Sequence, residues 1–138
     1  MSSSIFPANF PLELARVAFI SGNEAAWQQG DSLSVIDWLA ENSYAILGFE
    51  LWLPLPGGMI RTAIATDAGP TLYVWSCDRT KDEAWEHYVQ RSARETAKLV
   101  SDFRWPEDAL ESSRPAYFNL CWADSDWFEK NASHIADE

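Results

Sequence analysis

The chain has 138 residues, the length of one ordinary domain, and 47% of them are hydrophobic, a fraction that excludes disorder for most of the chain. Its 21 acidic residues outweigh 10 basic ones, which gives a formal net charge of −11. So acidic a chain lacks the basic face that binds nucleic acid and is repelled by anionic membranes, and it favours a cation or a basic macromolecule as partner.

The N-terminal segment is predicted to be loose over residues 1–11, because it contains a run of serines and two prolines. It has no basic residue and no long apolar run, so it does not resemble a secretory signal. A short helix is favoured from Leu12 to Ile20, although the periodicity also permits a strand. Residues 12–138 are then expected to form one domain.

An amphipathic helix is predicted over residues 32–42, with Asp31 or Ser32 as its N-cap. Three strand segments follow at residues 44–53, 59–66 and 71–78, joined by turns that contain Gly and Pro. Connections this short indicate an antiparallel meander.

Both faces of the first strand segment are apolar or nearly so, which is typical of a central strand. Gly48 interrupts this segment. Because glycine weakens a strand, we expect a bulge or a close packing contact at this position.

The longest helix is predicted over residues 81–103, after the capping box Thr80-Lys-Asp-Glu83. A fourth strand is predicted at residues 116–122, and Asp124 or Ser125 should cap a short terminal helix. The elements together predict an α+β domain in which two or three helices pack on an antiparallel sheet of about four strands. One stripe of the long helix should be buried against this sheet: Trp85, Val89, Leu99 and Phe103.

Cys77 and Cys121 are too few for a disulfide scaffold or a four-thiolate metal site, and both lie in apolar strand patterns typical of buried cysteines. We expect both to be reduced, without metal or cofactor, in a cytoplasmic protein. Glu83 and His87 stand four residues apart on a predicted helix, but the second His of the metalloprotease pattern is absent. The sequence offers no clear pair of a nucleophile and a base.

Two acidic tracts could meet in the fold and form one anionic face. No basic residue lies between Arg16 and Arg61, where there are five acids, and the chain from Trp105 onward carries eight acids and two bases. Tryptophans near the ends of elements could anchor a partner on such a face, and its acids could steer the partner to it. The candidate partner-binding residues are Glu24, Trp27, Asp31, Glu50, Trp122, Asp124, Asp126 and Trp127.

The chain resembles the immunity protein 40 family of bacterial toxin systems in two sequence strings and in the distance between them. The strings are Ala45-Ile-Leu-Gly48 and Trp85-Glu-x-Tyr-Val-x-Arg-Ser92. The resemblance covers roughly residues 22–122. The family commonly has a second Gly after Gly48, where this chain has Phe49. The resemblance implies a cytoplasmic protein, without catalysis or cofactor, that binds the toxin encoded beside it.

Two classes of function remain open at this point. The first is a non-catalytic binding module that neutralises a cognate toxin domain, expected to be basic, through the acidic, aromatic-containing face. The alternative is a small enzyme or small-molecule binder with a cleft lined by Glu50, Asp78, Glu83 or His87. A convex acidic face with exposed tryptophans would favour the first, and convergence of two or more of the four residues in an apolar pocket would favour the second.

Overall fold

Two long helices pack on one face of an antiparallel sheet in the computed structural model, which describes residues 5–109 and 114–131. In chain order the elements are α1 (Leu12–Arg16), β1 (Phe19–Ser21), β2 (Glu24–Gln28), α2 (Gln29–Glu41), β3 (Ala45–Pro54), a 3-10 turn (Pro56–Gly58), β4 (Ile60–Arg61), β5 (Ala63–Thr66), β6 (Gly69–Leu72), β7 (Val74–Ser76), α3 (Trp85–Asp102), β8 (Tyr117–Ala123) and α4 (Ser125–Lys130). The predicted α+β class is confirmed, and the main sheet has six strands in this part of the chain rather than about four.

Strand β3 is the centre of the sheet. It pairs with β8 along one edge and with β7 and β4 along the other, and β2 and then β1 extend the sheet beyond β8. All these pairings are antiparallel. A strand from the C-terminal part of the chain therefore lies between β2 and β3, an arrangement that local sequence patterns do not reveal.

Both antiparallel pairings of the predicted meander are present, but they lie in two separate sheets, and β7 also pairs with β3. The segment 59–66 divides into β4 and β5, and the third segment, which begins at Gly69 rather than residue 71, divides into β6 and β7. Strands β5 and β6 pair with each other in a separate two-stranded sheet. A tight turn that ends at Gly69, whose φ is +107°, makes this local pairing possible.

The N-terminal region differs most from the sequence prediction. Helix α1 ends at Arg16, and the hairpin of β1 and β2 follows, with strands of only three and five residues. Residues 1–4 lie outside the described part of the chain. The remainder of the segment predicted to be loose packs on the core, because the rings of Phe6 and Phe10 lie 6.0 and 5.9 Å from that of Trp27.

Both long helices begin at positions other than those predicted. Helix α2 begins at Gln29, so Asp31 lies in its first turn, and the Ser32 hydroxyl donates to the Trp27 carbonyl at 2.9 Å instead of capping the helix. Helix α3 begins at Trp85 rather than residue 81. The Asp82 backbone has a φ of +66°, which is incompatible with a right-handed helix and delays its start.

The buried stripe of α3 is only partly as predicted. Val89 is fully buried and Trp85 and Phe103 are half-buried, but Leu99 is 41% exposed. The buried stripe passes through Val100 instead, and consecutive helical residues point about 100° apart. Leu99 therefore faces away from the core. No helix in the described residues is long and apolar enough to cross a membrane.

Candidate functional site

One face of the main sheet is covered by α2 and α3, and the other face is not. On the covered face Trp27 of β2 pairs with Phe118 of β8, which pairs with Leu51 of β3. All three side chains lie in the hydrophobic core together with residues of both helices. Because side chains alternate along a strand, the residues next to these three point to the uncovered face.

Two rows of residues cross the uncovered face. The strand register places the first row as Ala26, Asn119, Glu50 and Val74, on β2, β8, β3 and β7. It places the second row as Cys121, Gly48 and Ser76, on β8, β3 and β7. Glu24 lies two residues before Ala26 on β2 and therefore flanks the second row beside Cys121.

An open groove of about 650 Å³ runs over these rows. Three carboxylates line it, those of Glu24, Glu50 and Asp78, and among the described residues no Lys, Arg or His does so. Three tryptophans also border the groove: Trp75, Trp122 and Trp127. Trp75 pairs with Phe49 and Trp122 pairs with Ile46, so both indoles point to the covered side and pack against the core. The uncovered face is therefore acidic, and Trp127 is the tryptophan exposed beside its carboxylates in the described residues.

Gly48 allows two strands beneath the groove to pack closely. A Cβ atom at this position would lie 2.2 Å from the Trp75 carbonyl oxygen, so only glycine permits β7 to approach β3 this closely. The register of β3 against β8 also shifts between Ile46 and Gly48, which marks a bulge. The bulge and the close packing contact predicted at Gly48 are both confirmed.

The two cysteines lie in different environments. Cys77 is buried as expected, and burial raises the pKa of its thiol to about 11. Cys121 was also expected to be buried, but it is exposed in the groove, because alternation along β8 points it away from the helices. Enclosure by the groove walls, followed by the negative charges of Glu24 and Glu50, raises the pKa of the Cys121 thiol. Both thiols are free.

The groove brings together four of the eight residues that the sequence singled out: Glu24, Glu50, Trp122 and Trp127. Helix α4, which carries Trp127, also carries Asp126 and is capped by Asp124, whose carboxylate accepts from the Trp127 backbone N–H at 2.8 Å. Asp31 does not line the groove and lies in the first turn of α2.

The prediction of Trp27 as a partly exposed anchor is wrong. Its side chain is fully buried, and its indole N–H donates to the Leu14 carbonyl at 2.7 Å. The physical reason is strand β2, which the sequence analysis missed: alternation in this strand points Trp27 toward the helices. Its ring lies 6.1 Å from that of Trp122, so Trp27 supports a groove residue from behind.

Glu83 and His87, which were considered for a catalytic cleft, lie outside the groove in a separate hydrogen-bonded network. The Glu83 carboxylate is almost fully buried and accepts two bonds from Arg91, at 2.8 and 2.9 Å. It also accepts from the Thr80 backbone N–H at 3.0 Å and lies 2.6 Å from His87 Nδ1. These bonds, led by those from Arg91, hold the pKa of the Glu83 carboxyl far below its usual range.

This network is connected to the groove through Arg91. Arg91 also donates to the Asp78 carbonyl at 2.7 Å, which fixes the chain directly after β7. A carboxylate whose oxygens already accept this many bonds has little capacity to act as a base.

The groove does not fully meet the criterion stated above for a binding module or the one for a small enzyme. Glu50 and Asp78 do share the groove, as the cleft alternative requires, but the groove is open rather than an enclosed apolar pocket. It is acidic with tryptophans, as the binding alternative requires, but concave rather than convex. In the described residues, no group of three or more His, Cys, Asp or Glu side chains is placed to hold a metal ion.

Comparison with known proteins identifies one family. A model of immunity protein 40 matches residues 13–121, and this range includes the three groove carboxylates and Cys121 but ends before Trp122 and Trp127. No curated protein and no solved structure matches the chain.

Proposed function

The chain belongs to the immunity protein 40 family, and on this premise we propose that it binds a cognate bacterial toxin domain and neutralises it without catalysis. The toxin domain is expected to be basic and to be encoded beside this protein. The encounter takes place in the cytoplasm of the cell that makes both proteins.

The observation that carries the proposal is the groove on the uncovered sheet face. A chain with a net charge of −11 concentrates three carboxylates there without a basic lining residue in the described part of the chain. Charges of one sign in a concave surface focus the electric field and accelerate the arrival of an oppositely charged partner. Trp127 at the border supplies aromatic contact area of the kind that dominates many interfaces.

The candidate residues then divide into two roles. Glu24, Glu50, Asp124 and Asp126 attract the partner, and Trp122 and Trp127 hold it. Trp127, which is 42% exposed on α4, offers the larger accessible surface. Asp31 contributes only to the overall negative charge because it lies outside the groove.

Binding kinetics against the toxin domain of the neighbouring gene test the steering role. The double variant Glu24→Lys, Glu50→Lys should slow association at low salt, and the difference should shrink as the Debye length falls to about 8 Å at 0.15 M salt. The matched control is Asp37→Lys, Glu86→Lys, which changes the net charge equally on exposed positions of α2 and α3. It should slow association less.

The anchoring role is tested by Trp127→Ala. Loss of this side chain should mainly accelerate dissociation, by a factor that corresponds to ~2 kcal/mol or more if it is a hot spot. Trp105→Ala is the control, since Trp105 is half-buried and lies outside the groove. Equal dissociation rates for the two variants would exclude Trp127 as an anchor.

Two outcomes would contradict the proposal. If the toxin domain does not bind, or binds wild-type protein and both charge variants alike at low salt, the acidic-face mechanism is wrong. Protection of cells without binding would favour the enzyme alternative, because Glu50 and Asp78 do share the groove. In that case Glu50→Gln or Asp78→Asn should abolish protection.

A further inference from the structure

Small residues stand side by side in the part of the groove that crosses β3, β7 and β8. Gly48, Cys121 and Ser76 stand side by side on β3, β8 and β7. The backbone of β7 occupies the place of any side chain at Gly48. We call the part of the groove over Gly48, Cys121 and Ser76 the hollow, and the Cys121 thiol is exposed in it.

The walls of this hollow are negatively charged. Glu24 lies beside Cys121 on β2, and Glu50 lies two residues after Gly48 on β3, so the two carboxylates approach the thiol from different sides. Neither of them, nor Asp78, forms an ion pair with another described residue. Burial first, and then the charges of Glu24 and Glu50, raise the pKa of the Cys121 thiol.

The border of the hollow is apolar and aromatic. Val74 is exposed next to Glu50, and Trp127 is exposed at the groove. Tryptophan faces attract cations, and apolar surface suits the aliphatic stem of a long basic side chain. Such a border favours an organic cation over a fully hydrated metal ion.

We infer that the hollow receives one arginine or lysine side chain of the toxin domain, seated over Gly48 and Cys121 between Glu24 and Glu50. The inference rests on the proposed function and adds the chemistry of the central contact. The cation neutralises carboxylates that have no basic partner within the described chain, and its stem packs against Val74 and Trp127.

The reactivity of the Cys121 thiol reports the electrostatic potential of the hollow in the isolated protein. The probes are two methanethiosulfonates with the same reactive group, one carrying a trimethylammonium and the other a sulfonate. Each reacts with the thiolate, so the raised pKa of Cys121 slows both reactions equally and cancels in their ratio. The rates are normalised to those of a small free thiol.

The cationic reagent should react faster. A potential of about one kT at the thiol changes the ratio of the two rates by a factor of about 7. Glu24→Gln with Glu50→Gln should bring the ratio toward one, whereas Asp37→Asn with Glu86→Gln should leave it near the wild-type value. Cys121→Ser supplies the blank, since Cys77 is buried. A wild-type ratio near one would overturn the inference.

Occupancy is tested by protection of Cys121. N-acetyl-arginine amide should slow its modification by a neutral methanethiosulfonate more than N-acetyl-citrulline amide does, because citrulline has a similar shape without the charge. Equal protection by both compounds, or none by either, would overturn the inference.

A third measurement separates this inference from the proposed function. Protein that carries the trimethylammonium group on Cys121 should bind the toxin domain at least about tenfold more weakly, because its hollow is already filled. Unchanged binding would overturn the cation site while the proposed function stands. A toxin domain that binds neither form, together with a high reagent ratio and selective arginine protection, would leave the cation site and overturn the proposed function.

Discussion

The two faces of the main sheet are built from alternate residues of the same strands, yet their chemistry is opposite. On β2 the fully buried Trp27 is an aromatic core residue, and three positions earlier Glu24 lies exposed in the groove. On β8 the buried Phe118 is followed three positions later by the exposed Cys121. Substitutions on the covered face should therefore change stability, and those on the uncovered face should change binding.

The largest expected loss of stability follows from Trp27→Ala. The substitution removes a fully buried indole, its hydrogen bond to Leu14, and its contacts with Phe6 and Phe10. Urea denaturation should show a loss of ~3–5 kcal/mol in the free energy of unfolding. Trp127→Ala should cost less than ~1 kcal/mol. Similar costs at the two positions would mean that the two faces do not differ as described.

Glu83→Gln should have the next largest effect, because it leaves the guanidinium of Arg91 in a largely buried site without its carboxylate. A loss of about 2–3 kcal/mol is expected near neutral pH. Glu95→Gln is the control, since Glu95 contacts the same Arg91 at 3.3 Å but is far more exposed, and it should cost less than ~1 kcal/mol.

The same network predicts a pH dependence. The pKa of Glu83 is depressed in the folded protein, so its contribution is present above the unfolded-state value of 4.5 and is lost as the pH falls below it. Wild-type protein should consequently lose more stability than Glu83→Gln between about pH 5 and pH 3. Parallel pH profiles for the two proteins would show that the carboxylate is not held by these bonds.

Gly48→Ala should affect both the stability of the fold and the shape of the groove, because its Cβ would collide with the backbone of β7 at Trp75. Displacement of β7 should cost about 1–3 kcal/mol and also distort the groove. Gly30→Ala is the matched control: it lies in α2 with no atom within 4 Å of the added carbon, and it should be neutral or stabilising by up to ~1 kcal/mol. Thermal or urea unfolding of both variants measures the difference.

Elements with long local patterns were predictable from the sequence. Helices α2 and α3, strands β3 and β8, and the Asp124 cap all follow from periodicity or from residue type at a terminus. The hairpin of β1 and β2 was not, because strands of three and five residues are too short for their alternation to be distinguished from chance. Because the hairpin was not predicted, Trp27 was expected to be partly exposed although it is buried.

The site was predictable in its charge but not in its shape. The base-free tract indicated Glu24 and Glu50 as candidates, and both line the groove. Their proximity depends on β8 lying between β2 and β3, which pairs residues 65 to 93 positions apart in the sequence. Exposure of Cys121 depends on which sheet face the helices cover, and no pattern within β8 itself determines that.

The smallest expected effect is the one that most directly tests why the uncovered face is acidic. Glu24 and Glu50 form no ion pair with another described residue, and they stand in a chain that already carries a net charge of −11. Their mutual repulsion and that from Asp78 should slightly destabilise the fold. Glu24→Gln with Glu50→Gln should therefore be neutral or stabilising by up to ~0.5 kcal/mol at low salt, and the gain should vanish at high salt.

A loss of more than ~1 kcal/mol would show that the carboxylates serve the fold. A gain in stability together with weaker toxin binding would show that they serve the partner, which is the trade-off expected where a binding site is kept at some expense to stability.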